Sequence, residues 1–266
     1  AGSLGYDRVR ARLEAWATWA YIADNEAGGM DMPDDEVESV GGREEPGKMP
    51  GLPRPGLPRP VLLQAFDPEA EFEVRTRRLP HWRQRGATYF VTFRLGDALP
   101  QVVLRALCME RERWVKEHPP PVAPAELRKL QALFSARVEQ YLAAGYGGCW
   151  LKRPEVADLV EGTLRHFDRT RYALGRYVVM PNHVHVLVTP LENHDLSAIL
   201  HSWKSYTSNG IHGLLGHRGP LWQRESYDHI VRDEDELRHY VRYIEENPTK
   251  AGLGKTEFRL GCGRVT

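Results

Sequence analysis

Residues 177–190, YVVMPNHVHVLVTP, set two histidines one residue apart inside an otherwise apolar run. Apolarity of that density asks for burial, and side chains along a strand alternate between faces. His183 and His185 therefore share one face, while Val184, Val186 and Val188 enter the opposite layer. Two imidazoles about 7 Å apart at the backbone can converge on one ion, and neutral histidine is a common metal ligand. The same spacing also suits two hydrogen-bonded polar residues on an antiparallel strand, so the decision rests on residues elsewhere.

Around this strand the pattern predicts a mixed order of elements. ATYFVTFRL, 87–95, alternates like a half-buried strand with Tyr89, Val91 and Phe93 on one face. Helical stretches are expected over 99–117 and 124–144, parted by HPPPVAP, and over 154–168, where Val156, Leu159, Val160, Leu164 and Phe167 form a stripe. Strands over 172–180 and 183–189, a helix over 196–215, a short strand near 228–232 and a helix over 233–246 complete the body. With no regular βαβ crossover and no glycine-rich phosphate loop, the expectation is α+β, an antiparallel sheet covered by helices.

The last helix supplies further chemistry. In RDEDELRHYVRYIEENPTKAGL, Asp233 suits an N-cap, Glu234 to Glu236 suit the positive helix start, and Pro248 marks Asn247 as the expected end. Tyr243 and Asn247 are four apart and share a face, with Tyr240 nearby. They offer a nucleophile and a third metal ligand beside the histidine pair.

YVVMPNHVHVLV resembles the histidine-hydrophobe-histidine (HUH) strand of the single-tyrosine, IS200-like transposases. GPLWQRESYDHIVRDEDELRHYVRYIEENPTKAGL resembles the C-terminal signature of their REP-associated branch, the REP-associated tyrosine transposases, and LSAILHSWKSYT also looks like family sequence. The resemblance covers about residues 76–253. It implies a ferredoxin-like or RRM-like sheet (the HUH endonuclease fold), with His183 and His185 as paired metal ligands and Asn247 as the third where insertion-sequence relatives usually carry glutamine. It implies Tyr243 as nucleophile, with Tyr240 in reserve, and Mg²⁺ or Mn²⁺ as cofactor. The implied activity is metal-dependent cutting and strand transfer of single-stranded DNA at REP-like hairpins through a 5′-phosphotyrosine. The alternative is a domesticated hairpin-binding protein that no longer cuts; a hydrolase using water at the same metal is a third reading. Monomeric action is favoured, with a dimer open.

Lys204, Arg218, Arg224, Arg232, Arg238 and Arg242 are candidate phosphate contacts, and Trp203, Trp222 and Tyr227 are candidate stacking platforms. Each has a structural alternative: Arg238 and Arg242 can pair with Glu234 or Glu246, and Trp222 can anchor a loop.

Residues 1–75 read as an acidic extension: a short helix over 5–23, then a Gly-, Pro- and acid-rich spacer over 24–60 ending in GLPRPGLPRP. Residues 76–255 form the expected catalytic domain, with a helical insertion at 118–150, and 256–266 a tail. Cys108, Cys149 and Cys262 form no CxxC pair, and no run approaches the roughly 18 apolar residues of a membrane span. The expectation is a cytoplasmic, nucleoid-associated protein with no membrane partner.

Balanced formal charge hides a split. Residues 1–74 hold 7 Lys+Arg against 15 Asp+Glu, and the remaining residues 29 against 21. An acidic leader can compete with a polyanion for a basic body. Deleting residues 1–74 is expected to tighten single-stranded DNA binding in a filter or anisotropy titration; unchanged affinity excludes that role.

Overall fold

The computed structural model describes residues 36–40, 65–67, 70, 72–76, 80–118 and 136–263. The helix expected over 5–23, the GLPRPGLPRP repeat, HPPPVAP after His118 and most of the helix expected over 124–144 lie outside the described residues.

Eight strands and five α-helices are described. β1 (Glu36–Val40), β2 (Phe72–Thr76) and β3 (Pro80–Arg83) form one antiparallel sheet. β4 (Tyr89–Arg94) leads to α1 (Gln101–Glu117) and α2 (helical over 136–143), then α3 (Pro154–His166). β5 (Tyr172–Val179) and β6 (His183–Pro190) follow, then α4 (Leu196–Leu215), β7 (Tyr227–Ile230), α5 (Glu234–Lys250) and β8 (Arg259–Cys262).

The main sheet has the order β7-β4-β6-β5-β8, with every neighbouring pair antiparallel. Its first four members, taken in chain order, stand as fourth, first, third and second. That is the ferredoxin-like arrangement expected from the resemblance. β6 lies at the centre, so HVHVLVTP is buried along its whole length.

The two faces of this sheet are distinct cores. Tyr89, Val91, Phe93, Val184, Val186 and Val188 pack with Val156, Val160 and Leu164 of α3 and Ile199, Leu200 and Trp203 of α4. On the other face Phe90, Val178, Met180 and Leu187 meet Ile244 of α5, with Tyr240 and Tyr243 packed against them. β4 is consequently buried on both sides, where alternation suggested one wet face. The second layer comes from a helix distant in sequence, which strand periodicity does not register. Gly175 marks a register shift in β5; a Cβ there would meet Leu187 Cβ at 2.8 Å, so the strands approach too closely for any side chain.

α5 starts as expected. The Asp233 side chain accepts from the Glu236 backbone N–H at 2.7 Å, and Glu236 reaches back to accept from the Arg232 N–H at 2.8 Å. Its end differs. The helix runs through Pro248 to Lys250, because Asn247 and Pro248 are buried against the sheet and that packing outweighs the residue preference before proline. The Ala251 N–H closes the turn on the Asn247 carbonyl at 3.0 Å.

Four strands escape the sequence pattern, among them Phe72–Thr76 at the end of the segment read as extension. Glu36–Val40 lies inside the segment read as spacer, yet pairs with β2. Pro80–Arg83 carries only four residues. Arg259–Cys262, in the segment read as tail, hydrogen-bonds along β5 as the fifth strand of the main sheet. Short strands of this kind are specified by the edge they complete more than by their own apolar content.

A buried ion pair fastens β7. Arg83 Nη1 donates to Asp228 Oδ2 at 2.6 Å, with side chains 9% and 2% exposed, and Arg83 also lies over the Tyr89 ring. Burial works against the guanidinium charge, but Asp228, together with Tyr89 and Asp195, outweighs it. Removing one partner strands a buried charge. Asp228→Ala is expected to lower stability by about 3–5 kcal/mol in urea denaturation.

Candidate active site

His183 and His185 are 1% and 0% exposed on the face covered by α5. Their Nε2 atoms lie 3.0 Å apart. Behind them the remaining ring nitrogens are engaged: His183 Nδ1 lies 2.7 Å from Asn182 Oδ1, and His185 Nδ1 lies 2.8 Å from Thr92 Oγ1. Thr92 stands opposite His185 in the β4–β6 register, so the strand pairing itself delivers the hydroxyl. The turn before β6 is pinned by Met180 N–H on the His183 carbonyl at 2.8 Å and Leu95 N–H on the Asn182 carbonyl at 2.9 Å.

α5 brings the rest. One helical turn separates Tyr243 from Asn247, and both face His185. The Tyr243 ring meets His185 edge-on at a centroid distance of 5.2 Å, and the Asn247 amide nitrogen lies 3.4 Å from His185 Nε2. Tyr240 faces elsewhere. Its ring stacks on Phe90 at 4.2 Å, and burial, then Tyr227, push its phenol well above the usual range. Tyr243 is thus the tyrosine set beside the histidines.

The fourth group had no sequence signal. Glu139 of α2 comes within 3.7 Å of His185 Nε2, keeps a third of its side chain exposed, and accepts a hydrogen bond from Tyr243. Its neighbours Val138 and Leu142 join the main core, and Arg137 pairs with Glu110 of α1. The segment read as an insertion therefore contributes a carboxylate to the site. Among the described residues, Glu139, His183 and His185 are the group of acidic, histidine and cysteine side chains whose ligand atoms cluster closely enough to hold an ion.

This donor set fits a divalent cation. Two imidazole nitrogens, a carboxylate and an amide make an oxygen-and-nitrogen set suited to Mg²⁺ or Mn²⁺. Electrostatics agree. Burial, then the adjacent His185, lower the His183 pKa to about 3, so the ring stays in the neutral form that can bind a metal. Desolvation alone would raise the Glu139 carboxyl, but His185, His183 and the Tyr243 hydrogen bond outweigh it and bring its pKa to about 2.

The candidate DNA contacts divide. Arg218, Arg224 and Arg242 are exposed. Arg238 pairs with Glu234 at 2.9 Å and Asp235 at 3.0 Å, and Arg232 with Glu236 at 3.6 Å. Lys204 Nζ donates to the carbonyls of Gln223, Arg224 and Glu225 at 3.0, 3.0 and 3.3 Å, so its charge holds that loop instead of projecting to a phosphate. Trp222 is 7% exposed, donates to Thr207 Oγ1 at 2.9 Å and packs on Phe93. Trp203 is 2% exposed and donates to the Tyr172 hydroxyl at 3.0 Å. Both indoles are core anchors, since an aromatic ring packed on both sides has no face left for a base. Tyr227 is half-buried beside Phe90.

A family model described as "Transposase IS200 like" matches residues 153–247. The REP-associated tyrosine transposase of Escherichia coli is 30% identical over 124 residues, spanning 41% of this chain and 71% of that protein. The chain belongs to the REP-associated tyrosine transposase family. A second relative of that kind, from Haemophilus influenzae, is 27% identical over 84 residues, 28% of this chain and 48% of its own length. A solved structure of the REP-associated tyrosine transposase bound to a REP hairpin covers 66% of this chain and 74% of its own, with 19% identity and a TM-score of 0.38. Among the described residues no helix is long and apolar enough to cross a membrane.

His183 also sets a pH dependence. The unfolded ring takes a proton below about 6.5, whereas the folded ring stays neutral until about 3. Folding is therefore fully supported above about 6.5 and loses support as pH falls toward 3, at up to about 1.4 kcal/mol per pH unit. Glu139 adds a loss of the same sign only below its ordinary value of 4.5. Metal-free protein should show a urea midpoint that falls from about pH 7 to pH 5, and His183→Gln should flatten that fall.

Proposed function

We propose that this chain is a metal-dependent single-stranded DNA endonuclease and strand transferase that recognises REP-like hairpins and cuts through a 5′-phosphotyrosine. The observation that carries this reading is the convergence of Tyr243 and Asn247 from α5 on the His183–His185 pair of β6. Elements distant in sequence thus bring a nucleophile to a set of candidate ligands.

His183, His185 and Glu139 would hold the cation, with Asn247 within reach of the same position. When bound, Mg²⁺ or Mn²⁺ would supply charge neutralisation of the phosphate oxygens. Glu139 and His185 fix the Tyr243 phenol over that position. The Tyr243 phenol gives up its proton as its oxygen forms a bond to phosphorus, the bond to the DNA 3′-oxygen breaks, and that oxygen takes up a proton to leave as the strand's 3′-hydroxyl. The phosphotyrosine conserves the bond energy for rejoining, so ATP is not required. Arg218, Arg224 and Arg242 are the exposed cations proposed to track the backbone. Recognition of REP-like hairpins is proposed from the family, whose Escherichia coli relative is described as REP-associated.

A denaturing gel with hairpin DNA from the gene's own flanks, labelled 3′ of the cut, tests the reading with Mg²⁺ and with Mn²⁺. The label should shift to protein mass with wild type and with Tyr240→Phe, and stay free with Tyr243→Phe. Cleavage retained by Tyr243→Phe would replace tyrosine with water or another nucleophile. Binding without an adduct on every flanking hairpin would leave a hairpin-binding protein that does not cut.

A further inference from the structure

The two histidines are wired differently. The Asn182 side chain is fully buried and committed at both ends: Nδ2 donates to the Tyr146 carbonyl at 3.1 Å, and Oδ1 faces His183 Nδ1 at 2.7 Å. A backbone carbonyl can only accept, which fixes the amide's orientation, and an amide oxygen can only accept, which places a proton on His183 Nδ1. In the neutral ring Nε2 then carries a lone pair. That lone pair lies 3.0 Å from His185 Nε2. Two ring nitrogens at this separation need one proton between them, so His185 bears it on Nε2, where Glu139 at 3.7 Å favours the same arrangement. Asn247, the longer contact at 3.4 Å, can turn its amide oxygen toward that proton. His185 Nδ1 is left with a lone pair, and the Thr92 hydroxyl at 2.8 Å donates to it.

We propose that Asn182 locks His183 as a permanently primed ligand while Thr92 makes His185 a switchable one, so that the metal-free pair is closed by its own hydrogen bond. This inference rests on the metal-dependent reading above. A cation held by both Nε2 atoms requires both lone pairs. His185 must then release its Nε2 proton and carry one on Nδ1, a tautomer change with no net change in protonation. Thr92 suits this because a hydroxyl both donates and accepts, whereas the Asn182 oxygen only accepts. The Tyr146 carbonyl lies in the loop after α2, where, two residues on, the Gly148 N–H donates to Asp97 Oδ2 at 2.7 Å. Asn182 and Thr92 are positioning residues; neither touches the substrate.

Long-range proton–nitrogen NMR correlation on the full chain with ¹⁵N-histidine reads the tautomers directly. Metal-free wild type at neutral pH should show His183 protonated on Nδ1 and His185 on Nε2, and Mg²⁺ should move only His185 to the Nδ1 form. By calorimetry Thr92→Val should lose about 10- to 100-fold in Mn²⁺ affinity, while Thr92→Ser retains it. Circular dichroism on each variant separates loss of the switch from loss of the fold. Like tautomers in the metal-free wild type, or full Mn²⁺ affinity in folded Thr92→Val, would overturn the inference and leave the metal reading standing. A wild type that binds neither cation would overturn the metal reading itself.

Discussion

A neutral imidazole pair can be buried in the middle of a sheet only if its ring nitrogens are engaged, because an unsatisfied buried polar group costs about 1–3 kcal/mol. Much of the site follows from that requirement. β4 must run beside β6 in the register that sets Thr92 against His185, and the turn before β6 must carry Asn182. The outward-facing Nε2 atoms are left to each other and to whatever α5 and α2 bring. The apolar residues around them, Phe90 and Ile244 above all, dock α5 closely enough for Tyr243 and Asn247 to reach the rings.

The sheet's asymmetry makes room for chemistry. Its valine face is closed by α3 and α4 into a conventional core, with Trp203 and Trp222 filling the space between layers. Its histidine face is covered by α5, whose inner side mixes aromatic and polar groups, and Glu139 of α2 reaches the pair from beside it. Tyr240 and Tyr243 lie one turn apart there and have different environments. Tyr240 stacks on Phe90, while Tyr243 stands edge-on to His185 with its hydroxyl on Glu139. Packing, more than helix propensity, distinguishes the two phenols.

Much of this was legible in the chain itself. The alternation of His183 to Val188 assigned β6 and its faces, and the i, i+4 spacing put Tyr243 and Asn247 together. The long helix Leu196–Leu215 matches its apolar period closely. Other parts were hidden for identifiable reasons. Glu139 is one acidic residue on an amphipathic helix, and its role depends on where that helix docks. Thr92 becomes informative only through cross-strand register, which period alone does not specify. Lys204, Trp203 and Trp222 looked like nucleic-acid contacts because cations and aromatics are shared by DNA grooves and by well-packed loops. The extension of α5 past Pro248 reflects tertiary burial overriding a local preference.

The matched family segment, residues 153–247, holds both histidines, Tyr243 and Asn247, but neither Thr92 nor Glu139. The groups expected to perform the chemistry thus travel in one contiguous stretch, and two that orient or charge them lie in a separate stretch toward the N-terminus. A change at Thr92 or Glu139 therefore alters the surroundings of the histidine pair without touching a residue of the matched segment.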